Sequence, residues 1–125
     1  MPKEKFSIKK RLQSFQYAFR GLFDFFATEH NARIHLFATV LVVAAGWYFS
    51  IYPGEWMAVL ICIGMVISAE IINTSIEGIC NFISPGKSEK IKKIKDLAAG
   101  AVLFVAIIAL IVGCIIFGPK IYALF

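Results

Sequence analysis

Charge is what this chain has least of. Only 17% of its 125 residues are Asp, Glu, Lys or Arg, against 59% hydrophobic, whereas a soluble domain carries about a quarter charged residues. That shortage excludes an ordinary soluble surface. Cysteine is sparse as well. Cys62, Cys80 and Cys114 stand far apart, with no two at metal-ligand or redox spacing, so they read as small packing residues in apolar helices. No internal repeat divides the chain, and no cleaved signal peptide is expected, because the first residues are polar and amphipathic. A single domain over residues 1–125 is expected.

Hydrophobic residues fill the space that charge leaves. Three apolar runs, at about 34–52, 56–79 and 97–118, are each long enough to cross the roughly 30 Å bilayer core, which takes about 20 helical residues. The expected fold class is an all-α membrane protein: an N-terminal amphipathic surface helix at about 7–28, then three transmembrane helices. Lys and Arg set the orientation. Seven precede the first run (Lys3, Lys5, Lys9, Lys10, Arg11, Arg20 and Arg33), and five lie between the second and third (Lys87, Lys90, Lys92, Lys93 and Lys95). The turn at Tyr52-Pro53-Gly54-Glu55 has none. By the positive-inside rule the N-terminus and the second loop are cytoplasmic, and Trp47, Tyr48, Tyr52 and Trp56 form an aromatic belt around the outer turn. Lys120 is a lone basic residue on the outer side. The net charge of +5 flanks the apolar runs, which points to anionic headgroups as its partner rather than nucleic acid.

Ile8, Leu12, Phe15, Phe19, Leu22 and Phe26 recur at alternating four- and three-residue steps, the stripe of an amphipathic helix. Lys9, Lys10, Gln13, Gln16 and Arg20 lie off it. A helix this basic and aromatic suits the inner membrane surface; packing against the other helices is the alternative, and the two are compatible. A polar junction follows, Thr28-Glu29-His30-Asn31-Ala32-Arg33-Ile34-His35. Thr28 or Asn31 is the cap expected there, and Glu29 is expected near the inner interface.

The second apolar run contains Glu70-Ile71-Ile72-Asn73-Thr74-Ser75-Ile76-Glu77. Ionisable groups at membrane depth are expensive and by default mark function. Glu70, Asn73 and Glu77 share one helix face, bordered by Thr74 and continued by Asn81. Counted from Trp56, Glu70 lies about 21 Å along the helix and Glu77 about 31 Å, at the inner boundary. Glu77 can then meet a soluble substrate and Glu70 a lipid headgroup. Glu29, at the level of Glu77, could share a divalent ion with it, since magnesium takes a few carboxylates plus phosphate oxygens. Lys95 could hold phosphate as a point charge, and Glu70, the less solvated carboxylate, could take a proton from a lipid hydroxyl. Together these make a phosphoryl-transfer site. The same groups could instead bond to neighbouring helices as structural glue, and spacing alone does not choose. Gly86-Lys87-Ser88 is not a P-loop, because the required glycine five positions earlier is Asn81 and a βαβ context is missing. It reads as a basic loop whose backbone could touch phosphate.

The segment Glu70-x-x-Asn73-Thr74-Ser75-Ile76-Glu77 is followed by Lys95-Asp96-x-Ala98-Ala99-Gly100-Ala101-Val102 and preceded by Glu29-His30-Asn31-x-Arg33-Ile34-His35. This pattern resembles the small integral-membrane lipid kinases, the prokaryotic diacylglycerol kinase and undecaprenol kinase family, over nearly the whole chain. The resemblance implies transfer of the ATP γ-phosphate to a lipid alcohol, diacylglycerol or undecaprenol, with magnesium. It also implies a homotrimer in the bacterial inner membrane, with sites shared between neighbouring subunits. By the same resemblance Glu70 is the catalytic base, with Asn73 in the core motif, and Glu29 and Glu77 bind metal and with it the nucleotide. Lys95 and Asp96 match nucleotide contacts, Lys95 on phosphate. Lys10 or Arg11, with Tyr17, match positions near the nucleotide on the amphipathic helix, and Gly86, Lys87 and Ser88 match a nucleotide-contacting loop. Two positions depart from the pattern. Asn81 stands where members often have Asp, and Lys87-Ser88 replaces a stretch that often carries His near position 88. The rival of another class is a small ion-coupled transporter using Glu70. It would need neither Lys95-Asp96 nor Glu29, and it would place its carboxylate nearer mid-membrane.

Overall fold

The computed structural model describes residues 5–125. Lys3, and with it the first part of the loose tail expected over residues 1–6, lies outside the described residues. The described residues form four helices: α1 (Ile8–Thr28), α2 (His30–Tyr48), α3 (Pro53–Ile83) and α4 (Glu89–Tyr122). Residues 84–88 are the longest connection between them.

Each helix start has a local cause. The Ser7 hydroxyl accepts from the Lys10 N–H at 3.4 Å and opens α1. Pro53 sits at the start of α3, where a missing N–H costs nothing, and the Glu55 carboxylate reaches back to accept the Tyr52 N–H at 3.0 Å. Ser88 opens α4 by accepting from Ile91 N–H. The polar junction folds differently from its sequence expectation. Thr28 ends α1, its hydroxyl donating to the Asp24 carbonyl at 2.7 Å, and Asn31 lies inside α2. Glu29 alone separates the two helices and is the N-cap of α2. The Arg33 guanidinium donates back to the Ala27 carbonyl, placing a cation at the negative end of α1.

The stripe on α1 is not turned onto the rest of the protein. Ile8, Phe15 and Phe19 are each more than 60% exposed, and the one buried residue of α1 is Phe25, which is not on the stripe. That apolar face is therefore available to a membrane surface.

α3 and α4 form an antiparallel pair clasped at both ends. Beside the α2–α3 turn, Lys120 Nζ lies 2.9 Å from Glu55 Oε2 and also donates to the Ile116 carbonyl. At the opposite end, Lys95 donates to Asn81 Oδ1. Both helices are long and apolar enough to cross a membrane. Their 31 and 34 residues rise about 46 and 51 Å, so both overshoot a roughly 30 Å core. α2 does not pass the same test, because His30, Asn31, Arg33 and His35 fall within it. It also stops at Tyr48, short of the expected end at 52.

The tight core lies beside the α2–α3 turn, where Ile51, Val59, Ile116 and Phe117 are buried together with Trp56 and Phe49 against them. Gly46 is part of this packing. A methyl group there would come within 2.7 Å of the Trp56 ring and 3.1 Å of Ile51 Cδ1. The turn that follows puts Ser50 at φ 50°, a left-handed conformation that costs an ordinary residue about 1 kcal/mol or more.

Thermal melts in detergent test both positions. Gly46→Ala should destabilise by about 1–3 kcal/mol, the usual cost of overpacking. Ser50→Gly should melt no lower than the unmodified protein, since glycine adopts the left-handed turn without strain. A Gly46→Ala melt equal to the unmodified one would show that Trp56 does not pack against this glycine.

Candidate active site

The apolar centre of α3 is interrupted where it faces α2. Glu70 and Asn73, each 6% exposed, are the buried polar side chains of the described residues. Glu70 Oε1 lies 3.6 Å from His35 Nε2 of α2. One turn further on, Asn73 Nδ2 donates to Glu77 Oε1 at 3.1 Å. The other end of that amide, Asn73 Oδ1, is buried with no hydrogen-bond partner. An unmatched buried carbonyl costs about 1–3 kcal/mol, which marks a place where a donor or cation from outside the chain would be favoured. Glu77 itself is exposed, so this face runs from a buried carboxylate to a solvent-reachable one.

α2 and α3 run antiparallel on either side of a short turn. Counted from the His35–Glu70 contact, Glu29 at the N-cap of α2 is six residues back and Ile76, beside Glu77, is six residues forward, which is a similar rise along the two helices. Among the described residues, no group of three or more His, Cys, Asp or Glu side chains could by itself hold a metal ion.

The remaining candidates are spread over two helices and a loop. Lys95, half-buried near the start of α4, reaches Asn81, while Asp96 pairs instead with Lys92 at 2.7 Å. The neutral amide of Asn81 leaves the full charge of Lys95 in place, where an aspartate would have paired it. Tyr17 is exposed on α1, with the Arg20 guanidinium 5.9 Å from its ring centroid, and Lys10 lies one helical stretch before it. Gly86 and Lys87 are exposed in the 84–88 connection. Ser84 donates to the Gly86 carbonyl, and the Ser88 hydroxyl is engaged at the start of α4. The chain thus brings together Glu70, Asn73 and Glu77, with His35 against them. It holds Lys10, Tyr17 and the 84–88 connection on separate elements. His35 is the site residue that local spacing missed, because its pairing with Glu70 depends on the α2–α3 register.

A groove of about 480 Å³ runs between α2, α3 and α4. Its walls are apolar, including Val59, Val66, Ala106, Gly113 and Phe117, and His35 is the sole imidazole, carboxylate or amine on them. The innermost wall residues, His35, Ile67 and Ala106, lie close to the height of Glu70 under the registers given above.

Comparison with known proteins gives the family. Residues 16–117 match the family described as prokaryotic diacylglycerol kinase. The chain is 35% identical over 113 residues to an undecaprenol kinase of Bacillus subtilis, covering 90% of this chain and 92% of that protein. It is 39% identical over 115 residues to a diacylglycerol kinase of Synechocystis, covering 86% of this chain and 63% of that one.

Replacing Glu70 tests whether it serves as structural glue between the helices. A carboxylate buried against one histidine is a net cost to the fold, so Glu70→Gln should melt no lower than the unmodified protein, and by about 1 kcal/mol higher where stability has been traded for activity. A melt lowered by more than a few degrees would show that Glu70 holds the helices together.

Proposed function

We propose that this chain, a lipid kinase that belongs to the prokaryotic diacylglycerol kinase family, moves the γ-phosphate of ATP to the hydroxyl of undecaprenol or diacylglycerol with magnesium. Undecaprenol is offered first because the relative matched over 92% of its length carries that activity in its name. The single observation that carries the reading is the polar face of α3. It pairs a buried carboxylate beside an apolar groove with an exposed carboxylate nearer the cytoplasmic end.

In this mechanism Glu70 accepts the proton of the lipid hydroxyl, and the freed oxygen attacks the terminal phosphorus in line with the departing ADP. Asn73 steadies Glu77 through its amide N–H. The donors suit magnesium in kind: hard carboxylate oxygens from Glu29 and Glu77, and the unmatched Asn73 Oδ1 on the side chain that bonds Glu77. Bound there, the ion would neutralise charge on the transferred phosphoryl oxygens. Lys95 meets phosphate, Asp96 the remainder of the nucleotide. Lys10, Tyr17, Gly86, Lys87 and Ser88 line its approach from the cytoplasm.

The protein sits in the bacterial inner membrane with its N-terminus and the 84–88 connection in the cytoplasm, as the Lys and Arg distribution supports. α2 is the third span. Its 19 residues rise about 28 Å, close to the thickness of the core. The assembly is a homotrimer with shared sites. Two observations support it. One chain does not gather a complete metal cluster among the described residues, and Leu97, Phe104, Leu110 and Ile115 remain more than 60% exposed on α4.

The test is phosphate transfer from labelled ATP by purified protein in detergent micelles, with undecaprenol and diacylglycerol offered in parallel. Labelled lipid from one acceptor is expected. No transfer to either, from protein shown to be folded, overturns the assignment of these acceptors. Glu70→Gln should reduce turnover by about 100-fold or more while magnesium–ATP binding persists, and loss of nucleotide binding instead would reassign Glu70. Glu77→Ala should raise the magnesium concentration needed for half-maximal rate, or remove activity; unchanged magnesium dependence would remove Glu77 from the metal site.

A further inference from the structure

His35 belongs to two features at once. It lines the apolar groove, and its Nε2 faces the buried Glu70 carboxylate. Their 3.6 Å separation is too long for a direct hydrogen bond. It lets one oxygen atom sit about 2.8 Å from each, to the side of the line between them. A hydroxyl in that position is matched on both sides, because it donates its proton toward Glu70 Oε1 and accepts from the His35 Nε2–H. Water would satisfy the same two groups, yet the groove that opens beside them is apolar along its length, with wall residues from Ala106 to Ile121 on α4. That stretch rises about 22 Å, the scale of an extended hydrocarbon chain. The molecule that uses both features is an alcohol with a long apolar tail.

We propose that His35 orients the acceptor: its Nε2–H donates to the hydroxyl oxygen of the lipid alcohol while Glu70 takes the hydroxyl proton, with the lipid's chain in the groove. This inference rests on the lipid-kinase reading and names the acceptor side of that site. In the transfer the hydroxyl O–H bond breaks and its proton passes to Glu70. The oxygen bonds to the terminal phosphorus of ATP, the bond from that phosphorus to its bridging oxygen breaks, and ADP leaves. His35 keeps its proton throughout. Its contribution is to fix the lone pair that attacks, which is positioning of the kind worth large rate factors when the geometry is lost. Thr39 on the next turn of α2 donates to the His35 carbonyl at 2.7 Å, so the helix carrying the imidazole is bonded locally at this point.

The experiment compares His35→Ala, His35→Gln and His35→Asn with the unmodified enzyme in mixed micelles, varying lipid alcohol and magnesium–ATP separately. A glutamine amide nitrogen reaches about as far as Nε2 and is a donor, whereas the asparagine nitrogen falls short of it. His35→Ala should lower kcat/KM for the lipid at least tenfold and leave KM for magnesium–ATP within twofold. His35→Gln should recover a third or more of the lipid kcat/KM, and His35→Asn should resemble His35→Ala. Equal losses toward both substrates, no advantage of Gln over Asn, or unmodified kinetics in His35→Ala would each overturn the assignment. If His35→Ala does not fold, the Gln and Asn pair decides by the same comparison. An unmodified enzyme that labels no lipid alcohol at all overturns the kinase reading itself, an outcome distinct from any difference among the variants.

Discussion

A carboxylate inside an apolar helix pair is expensive, and the structure is arranged around that cost. Glu70 is nearly sealed from solvent, and its Oε1 lies 3.6 Å from an imidazole, a weaker partner than a lysine or arginine would be. One turn on, the Asn73 amide oxygen is buried with no partner. The tight packing lies elsewhere on α3, in the core beside the α2–α3 turn.

That division requires α3 and α4 to hold one register over a long distance. The Glu55–Lys120 and Asn81–Lys95 contacts do this from opposite ends. Apolar helices in lipid have little hydrophobic preference for one register over another, so polar contacts and close packing select it. A slip of one turn would move Lys95 about 5 Å from its present height and dissolve the relation between the buried carboxylate and the basic start of α4. The Glu55–Lys120 pair lies far from Glu70, yet it helps to set the height at which Lys95 stands against α3.

Much of this was legible in the residues themselves. The alternating four- and three-residue steps announced α1, and the spacing of Glu70, Asn73 and Glu77 announced a polar face that the structure retains, down to the Asn73–Glu77 bond. Contacts between distant segments were not legible. Lys120 read as an isolated charge because its partner lies 65 residues away. His35 read as one polar residue in a crowded junction because its partner is on another helix. The limits of α2 were misjudged for a different reason. Apolar content suggested a span beginning at Ile34 and continuing through Tyr52, whereas backbone hydrogen bonding carries the helix back through the polar residues to His30 and the left-handed turn at Ser50 ends it earlier.

The joint between α1 and α2 is a single residue, and that residue is Glu29. With the Arg33 guanidinium tied to the end of α1, there is no slack loop to absorb a tilt of the first helix. A tilt of α1 therefore passes directly to the start of α2, and the carboxylate at the elbow turns with it.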